Sequence, residues 1–199
     1  MGQYYKPLLI GNHGKRTVLY SHDYGNGLKL TEHSYIGNNF TNAVRTLIRD
    51  NPMRVAWIGD YSDEENGDAY EKKMPHEKFI SFYKTCWGEH SKKPERPESM
   101  VYDEYVKGWY LVNHTQKCYL EMDTYIVASG HWEMWNGHQY LECLDPLPLL
   151  TACGNGRGGG DFHKGCMGYE NVGIWAFDKL EFTRAVPFGC ERKTFCFVE

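Results

Sequence analysis

Glycine is concentrated in one short segment, which reads GNGRGGGD over residues 154–161 and contains one arginine and one aspartate. Glycine adopts positive φ without a steric penalty, so three consecutive glycines favour a tight turn or a close approach to another molecule. Successive backbone N–H groups in such a turn can surround an anion, and Arg157 would add a planar cationic group. The spacing matches neither a P-loop nor a clean dinucleotide fingerprint, because no Gly-Lys-Ser/Thr follows and no helix pattern begins after it. Two interpretations remain open: a connection between two core strands, or a loop that contacts a ligand or partner.

A soft metal site is the next chemistry that the residue types allow. Cys153, His163 and Cys166 are spaced C-x9-H-x2-C around the glycine segment, and Cys190 and Cys196 are further thiols. Structural zinc sites are commonly built from closely spaced ligand pairs, and the chain has no Cys-x2-Cys pair. We therefore expect ordinary buried thiols and no metal cofactor, with zinc binding as an open alternative. A Cys153 thiolate with His163 as its base is the corresponding nucleophilic arrangement, but nothing in the sequence fixes their approach.

Polar residues also follow or interrupt apolar runs elsewhere in the chain, and loops on a rigid scaffold commonly carry binding groups. The residues that could together line one pocket are His22, Asp23, Asp60, Asn155, Arg157, Asp161 and His163. Asp23 and Asp60 could equally be turn residues whose side chains accept hydrogen bonds from nearby backbone N–H groups. The chain shows no paired-carboxylate spacing and no Ser-His-Asp order, so we predict no catalytic residues and favour binding over catalysis.

Two tryptophans, Trp132 and Trp135, lie in a segment rich in Gly, His and Asn. Tyr and Trp dominate recognition hot spots because they bury a large area at little entropic cost. In a β-rich fold the same side chains also fill the core. A core position and an exposed partner-binding position therefore both remain open.

The surrounding pattern predicts an α+β fold with a largely antiparallel, curved sheet and about two helices packed on one face. Apolar residues at i, i+4, i+7 and i+8 predict a helix over residues 40–49, with Asn38 or Asn39 as its cap. A second helix is predicted over residues 76–86, with Pro75 near its first position. Strands are expected over residues 4–10, 16–20, 28–30, 54–58, 109–112, 117–122, 172–177, 180–183 and 194–198.

Length and composition limit the remaining possibilities. For 199 residues we expect a single domain over 1–199, with an exposed loop or hinge over residues 88–100, which are polar and contain two prolines. The net charge of −4 argues against general nucleic-acid binding. The chain has no apolar stretch of membrane-spanning length and no signal-peptide pattern, so we expect a cytoplasmic protein without membrane association. The odd number of cysteines, seven, fits reduced thiols in that compartment.

Several phrases of the chain together resemble a family of small uncharacterised proteins from bacteria and their mobile elements and phages. These phrases are MGQYYKPLLI, YGNGLKLTEHSYIGNNF, RVAWIGDYSDE, YLVNHT and PLPLLTACGNGRGGGD. The resemblance brings no established activity. It implies an intracellular bacterial or phage setting, in which small proteins often bind and inhibit a larger protein machine such as a host defence nuclease.

Three functions follow from these observations. The leading prediction is a non-enzymatic binding protein that acts by protein–protein contact as a counter-defence inhibitor of the anti-CRISPR type. The alternative is a nucleotide-binding protein, either an enzyme or a sponge for a nucleotide signal, that uses the glycine loop 154–161. The third is a zinc-stabilised interaction module.

Overall fold

The structure is a computed structural model that describes residues 3–62, 73–89, 95–98, 108–129, 131–135, 138–142, 144–154 and 162–198, with the backbone alone for 127–129, 131–135 and 138–142. The strands in these ranges are β1 (Tyr5–Ile10), β2 (Arg16–Val18), β3 (Met53–Gly59), β4 (Tyr110–Asn113), β5 (Cys118–Glu121), β6 (His131–Trp135), β7 (His138–Glu142), β8 (Ala152–Cys153), β9 (Lys179–Thr183) and β10 (Glu191–Arg192). The helices are α1 (Leu30–His33), α2 (Asn39–Ile48), α3 (His76–Trp87), α4 (Met122–Ser129) and α5 (Pro146–Leu150).

Eight of these strands form one open sheet in the order β10-β5-β4-β9-β3-β1-β2, and β8 pairs with β3 along the same edge as β9. Neighbouring strands are antiparallel except for β3 with β8 and β5 with β10. The strands β6 and β7 form a separate two-stranded antiparallel sheet. The predicted α+β class with a largely antiparallel sheet is therefore confirmed.

Strand β3 lies inside the sheet and is apolar on both sides of its pleat. Val55 and Trp57 belong to a hydrophobic cluster on one face, whereas Ala56 and Ile58 belong to a second cluster on the other face. All four side chains are fully buried. Such a strand needs a layer of structure on each side, because an uncovered apolar face would remain in water.

The two longer helices lie on opposite faces of the sheet, which differs from the prediction that both pack on one face. The apolar residues of α2 join the cluster of Val55 and Trp57, and those of α3 join the cluster of Ala56 and Ile58. The reason is the two-sided burial of β3. The predicted positions of both helices are confirmed, and the Asn38 side chain caps α2 by accepting from the Phe40 and Thr41 N–H groups.

Three segments that were expected as strands adopt other backbone conformations. Residues 28–30 lead into the helical turn α1, and residues 194–198 form no strand but make one isolated bridge, from Val198 to Met167. The apolar run before the glycine segment forms α5, because Asp145 caps it and Pro146 occupies its first turn. Residues 172–177 form successive turns, with Gly173 at φ 76° and Phe177 at φ 64°. Apolar content indicated burial of these segments correctly, but local capping and turn residues determined the backbone.

A fully buried ion pair joins α2 to the start of α5. The Arg45 Nη2 atom lies 2.5 Å from both carboxylate oxygens of Asp145, and neither side chain is exposed to solvent. Asp145 also accepts the Leu147 N–H, and the Arg45 guanidinium lies 5.5 Å from the centre of the Phe182 ring on β9. Two charges removed from water are tolerated only when they are paired this closely. The pair therefore fixes two helices against the sheet.

A buried histidine links α1 to the sheet on the same face. The His33 Nδ1 atom accepts from the Trp57 indole N–H at 3.2 Å, and its Nε2–H donates to the Gly27 carbonyl at 3.0 Å. Both contacts require the neutral tautomer that carries its proton on Nε2. Burial lowers the pKa of His33 from 6.5 to about 4, because the charged form would lose its hydration.

Two further predictions concern an exposed loop or hinge at residues 88–100 and the lack of a membrane-spanning segment. Within the predicted hinge at 88–100, only 88–89 and 95–98 belong to the described residues, and Glu95 donates its backbone N–H to the Val18 carbonyl on β2 at 2.7 Å. The Tyr24 hydroxyl donates to the Pro97 carbonyl at 2.8 Å. In the part of the chain that the structure describes, no helix combines the length and apolar content needed to cross a bilayer.

We expect Asp145→Asn to lower the free energy of unfolding by about 3–5 kcal/mol, because it leaves the Arg45 charge buried without its partner. Asparagine can still cap α5, so loss of the cap contributes little. Urea unfolding measures the change, and the double variant Arg45→Met with Asp145→Asn should recover part of it. Equal losses in the single and double variants would contradict a coupled ion pair.

We expect His33 to make folding stability depend on pH between about 4 and 6.5. Above pH 6.5 the folded and unfolded states are both neutral at this residue, and its stabilisation is complete. As the pH falls, the unfolded chain takes up a proton that the folded protein resists, which removes about 3 kcal/mol by pH 4. The measurement is urea unfolding at pH 7 and pH 4.5 for the native chain and His33→Gln, whose amide can make both hydrogen bonds without titrating. The same pH dependence in both proteins would rule out this assignment.

Candidate functional site

The residues proposed for a metal or thiol site do not converge. Cys153 is fully buried in the cluster beneath α3, whereas Cys166 is buried in the cluster on the opposite face of the sheet. His163 is exposed, and its Nδ1 atom accepts the Gly165 N–H at 3.0 Å. Within the described residues, no group of three or more His, Cys, Asp or Glu side chains could hold a metal ion. The sheet itself separates the two thiols.

Most of the glycine segment lies outside the described residues, including Asn155, Arg157 and Asp161, so its proposed contact with a ligand stays a prediction. Its first residue, Gly154, is described and packs inside the protein, where a Cβ would overlap the Tyr5 hydroxyl and the Gln3 side chain. A Cβ on Gly59, at the end of the neighbouring strand β3, would also meet Gln3. The side chains of Gln3 and Tyr5 therefore occupy the space beside the carboxyl end of the parallel pair β3–β8.

The other predicted polar residues serve separate turns. His22 is exposed, with its ring 4.8 Å from that of Tyr20, and Asp23 lies in the 3-10 turn Ser21–Tyr24. The Asp60 carboxylate accepts the Tyr4 N–H at 3.0 Å, as expected of a residue that satisfies nearby backbone groups. None of these side chains lines the cleft described below.

Trp132 and Trp135 both lie on β6, paired with Leu141 and His138 of β7. Successive positions along a strand face opposite sides of a sheet, so two positions three residues apart lie on opposite faces of this two-stranded sheet. The two interpretations of these tryptophans, core or partner contact, stay predictions.

A cleft of about 810 Å³ lies between the amino end of β3, with the strands beside it, and the first half of α3. Five lysine or arginine residues and one carboxylate contribute to its lining, although the whole chain has a net charge of −4. We call it the basic cleft. Its lining residues are Ile10, Gly11, Asn12, His13, Gly14, Arg16, Pro52, Arg54, Lys73, Met74, Lys78, Phe82, Thr115, Phe177, Asp178 and Lys179.

Strand register sets the cations of the basic cleft in a row. Ile10 is paired with Arg16 on β2 and with Arg54 on β3, and Arg54 is paired with Lys179 on β9. Directly paired residues lie on the same face of a sheet, so these four positions cross four strands on the face covered by α3. The sheet thus brings together residues that are far apart in the sequence.

Two cations of the cleft are held by the protein itself. The Arg16 guanidinium donates to the Ser81 carbonyl and to the Thr85 hydroxyl of α3 and lies 4.7 Å from the centre of the Phe82 ring. Lys73 donates to two backbone carbonyls near residue 175 and lies 3.8 Å from the Asp178 carboxylate. Burial lowers the pKa of Lys73, and the Asp178 carboxylate opposes that shift.

The other three cations form no ion pair with a carboxylate of the described residues. Among the described residues, no acidic side chain lies within ion-pair distance of Arg54, Lys78 or Lys179. Arg54 donates to the Phe177 carbonyl at 2.9 Å, which supports its position but does not neutralise its charge. Since like charges directly opposite each other destabilise a sheet, the pairing of Arg54 with Lys179 is unfavourable without an anion.

The start of α3 lies beside the cleft, but it does not set the sign of the ligand. Its N-cap residue is Pro75, and the cleft is lined by Lys73 and Met74 before this point and by Lys78 after it. The first N–H groups of a helix carry a partial positive charge. Here they belong to His76 and Glu77, which do not line the cleft, and Glu77 adds a carboxylate to the same turn.

Sequence reasoning missed the basic cleft, although weak signals were present. Arg54 begins a strand that is otherwise predicted to be apolar, and the polar residues 11–15 connect the strands predicted over 4–10 and 16–20. The cleft residues come from four separate parts of the chain, at 10–16, 52–54, 73–82 and 177–179, with Thr115 beside them. Only the pairing of β3 with both β1 and β9 places them together.

We expect Lys179→Gln to stabilise the ligand-free protein by about 0.2–1 kcal/mol at low ionic strength, because it removes the repulsion with Arg54. Added salt should reduce the gain, since exposed charges are screened. Urea unfolding at low and high salt measures both effects. The matched control is Lys84→Gln, which changes an exposed lysine on α3 that does not line the cleft. No gain over this control would show that the pair is not strained.

Comparison of the chain with protein-family models, with characterised proteins and with solved structures found no match in any of the three. The family resemblance inferred from sequence phrases therefore stays a prediction.

Proposed function

We propose that this chain is a binding protein without catalytic activity of its own and that the basic cleft holds an anionic ligand. The observation that carries the proposal is the direct pairing of Arg54 with Lys179, with no carboxylate of the described residues within ion-pair distance of either. An anion bound beside both charges would relieve this repulsion.

The chemistry of the lining residues supports binding rather than catalysis. Asp178 is the carboxylate of the described lining, and its Oδ2 atom accepts from the Asn113 amide at 2.9 Å and from the Gln116 amide at 2.7 Å. The Thr115 hydroxyl accepts the Lys179 N–H at 2.8 Å. The oxygens that could act as a base or nucleophile are therefore already acceptors of internal hydrogen bonds, whereas several donors of the cleft face solvent.

The inhibitor role suggested by the sequence resemblance stays a prediction. It requires a surface that contacts a larger protein, and Phe188 is the described residue that suits such a contact best. Phe188 is fully exposed to solvent. It lies in a turn where Gly189 has φ 82° and Cys190 donates its N–H to the Pro187 carbonyl. Aromatic side chains in such positions often serve as anchors at interfaces. An anion-binding protein and an inhibitor are compatible roles for one chain.

We expect pyrophosphate to raise the thermal stability of the protein more than chloride does at equal ionic strength. A ligand present at about 100 times its Kd stabilises the folded state by about 2.7 kcal/mol. Thermal unfolding with increasing pyrophosphate should show this shift in the native chain, a much smaller one in Arg54→Gln and Lys78→Gln, and the native shift in Lys84→Gln. Identical shifts in all four proteins would place the anion elsewhere, and no shift in any of them would refute the proposal.

A further inference from the structure

The cations of the basic cleft that the protein does not hold itself come from two of its walls. Arg54 and Lys179 lie on adjacent strands, about 4.8 Å apart, and Lys78 lies on α3. Arg16, further along the same face, is already held by Ser81 and Thr85. A single phosphate or carboxylate could contact only part of this array. The spacing therefore suits a ligand with several linked anionic groups.

Part of the cleft lining is apolar. A ligand that consisted only of linked anionic groups would leave these apolar residues without a contact. Ile10, Met74 and Pro52 are partly exposed in the lining, and the cleft volume of about 810 Å³ is in the range of pockets for organic ligands. Exposed Ile10 and Met74 carbon atoms gain from contact with an apolar ring. The ligand should therefore carry an organic group beside its anionic part.

One turn at the edge of the cleft offers polar groups that could select that organic part. His13 and Gly14 both have left-handed backbone conformations, with φ values of 59° and 76°. A non-glycine residue in this conformation is uncommon and often marks a functional position. Within the described residues, the exposed Asn12 and His13 side chains make no hydrogen bonds, so the amide and imidazole can bind a ligand.

A long single strand of nucleic acid suits the cleft less well. Proteins that bind single strands present exposed aromatic side chains on which successive bases stack. Here the two aromatic residues of the lining, Phe82 and Phe177, are only 5% and 3% exposed, and they stack on each other at 5.5 Å. The lining has room for one ring against Ile10 and Met74 but no series of stacking platforms.

Building on the proposed anion-binding function, we infer that the basic cleft binds a nucleotide through its polyphosphate chain. Arg54, Lys78 and Lys179 contact the phosphates. The nucleoside lies against Met74 and Ile10, where Asn12 and His13 are within reach of its polar edge. This site lies at the opposite end of β3 from Gly154, so it is separate from the glycine segment in which a nucleotide site was expected.

The test is isothermal titration calorimetry, with the full chain, in buffer containing EDTA. The probes are ATP, GTP, CTP and UTP, inorganic tripolyphosphate, the four nucleosides and a hexaglutamate peptide. We expect at least one nucleoside triphosphate to bind about tenfold or more tightly than tripolyphosphate, and the nucleosides to bind weakly. Arg54→Gln should weaken both phosphate compounds, whereas Met74→Ala should weaken the nucleotide several-fold and leave tripolyphosphate unchanged.

The outcomes separate this inference from the function on which it rests. Tripolyphosphate binding as tightly as every nucleotide would overturn the nucleoside part and leave an anion-binding protein. Tight binding of hexaglutamate without binding of any phosphate compound would overturn the nucleotide assignment and favour an acidic protein segment as ligand. No binding of any anionic probe would refute both proposals. Thermal unfolding of each variant confirms that it is folded before titration.

Discussion

Burial of both faces of β3 is the constraint on which this structure depends. Val55 and Trp57 require cover on one side, and Ala56 and Ile58 require it on the other. An α+β sheet with all its helices on one face could not satisfy this strand, because half of its apolar area would face water. The positions of α2 and α3 on opposite sides follow from this requirement, and so does the space between α3 and the end of the sheet.

Polar contacts give this doubly covered sheet a defined arrangement on the α2 face. Hydrophobic clusters are not directional, whereas an ion pair and a hydrogen-bonded histidine accept only a narrow range of geometries. The Arg45–Asp145 pair fixes α2 relative to α5, and His33 fixes α1 relative to Trp57. Each is paired at full burial, so a packing that separated the partners would leave a charge or a polar group buried alone.

The two ends of β3 have different roles. At its carboxyl end the chain closes on itself, because Gln3 and Tyr5 occupy the space that Gly59 and Gly154 leave by having no side chain. At its amino end Arg54 faces an open cleft beside Lys179. A closed end and an open cleft therefore lie at opposite ends of one strand. Carboxyl ends of parallel strands are the usual ligand positions in α/β sheets, and here that position is already filled.

The sequence by itself determined the fold class, the two longer helices and the buried character of β3, because periodicity, caps and apolar runs act over a few neighbouring residues. It identified buried segments even where it assigned the wrong backbone, as at residues 172–177. The opposite placement of the helices, the separation of Cys153 from Cys166 and the pairing of Arg54 with Lys179 were decided only by the tertiary structure. Strand register joins residues more than a hundred positions apart, and no local pattern records which strands will be neighbours.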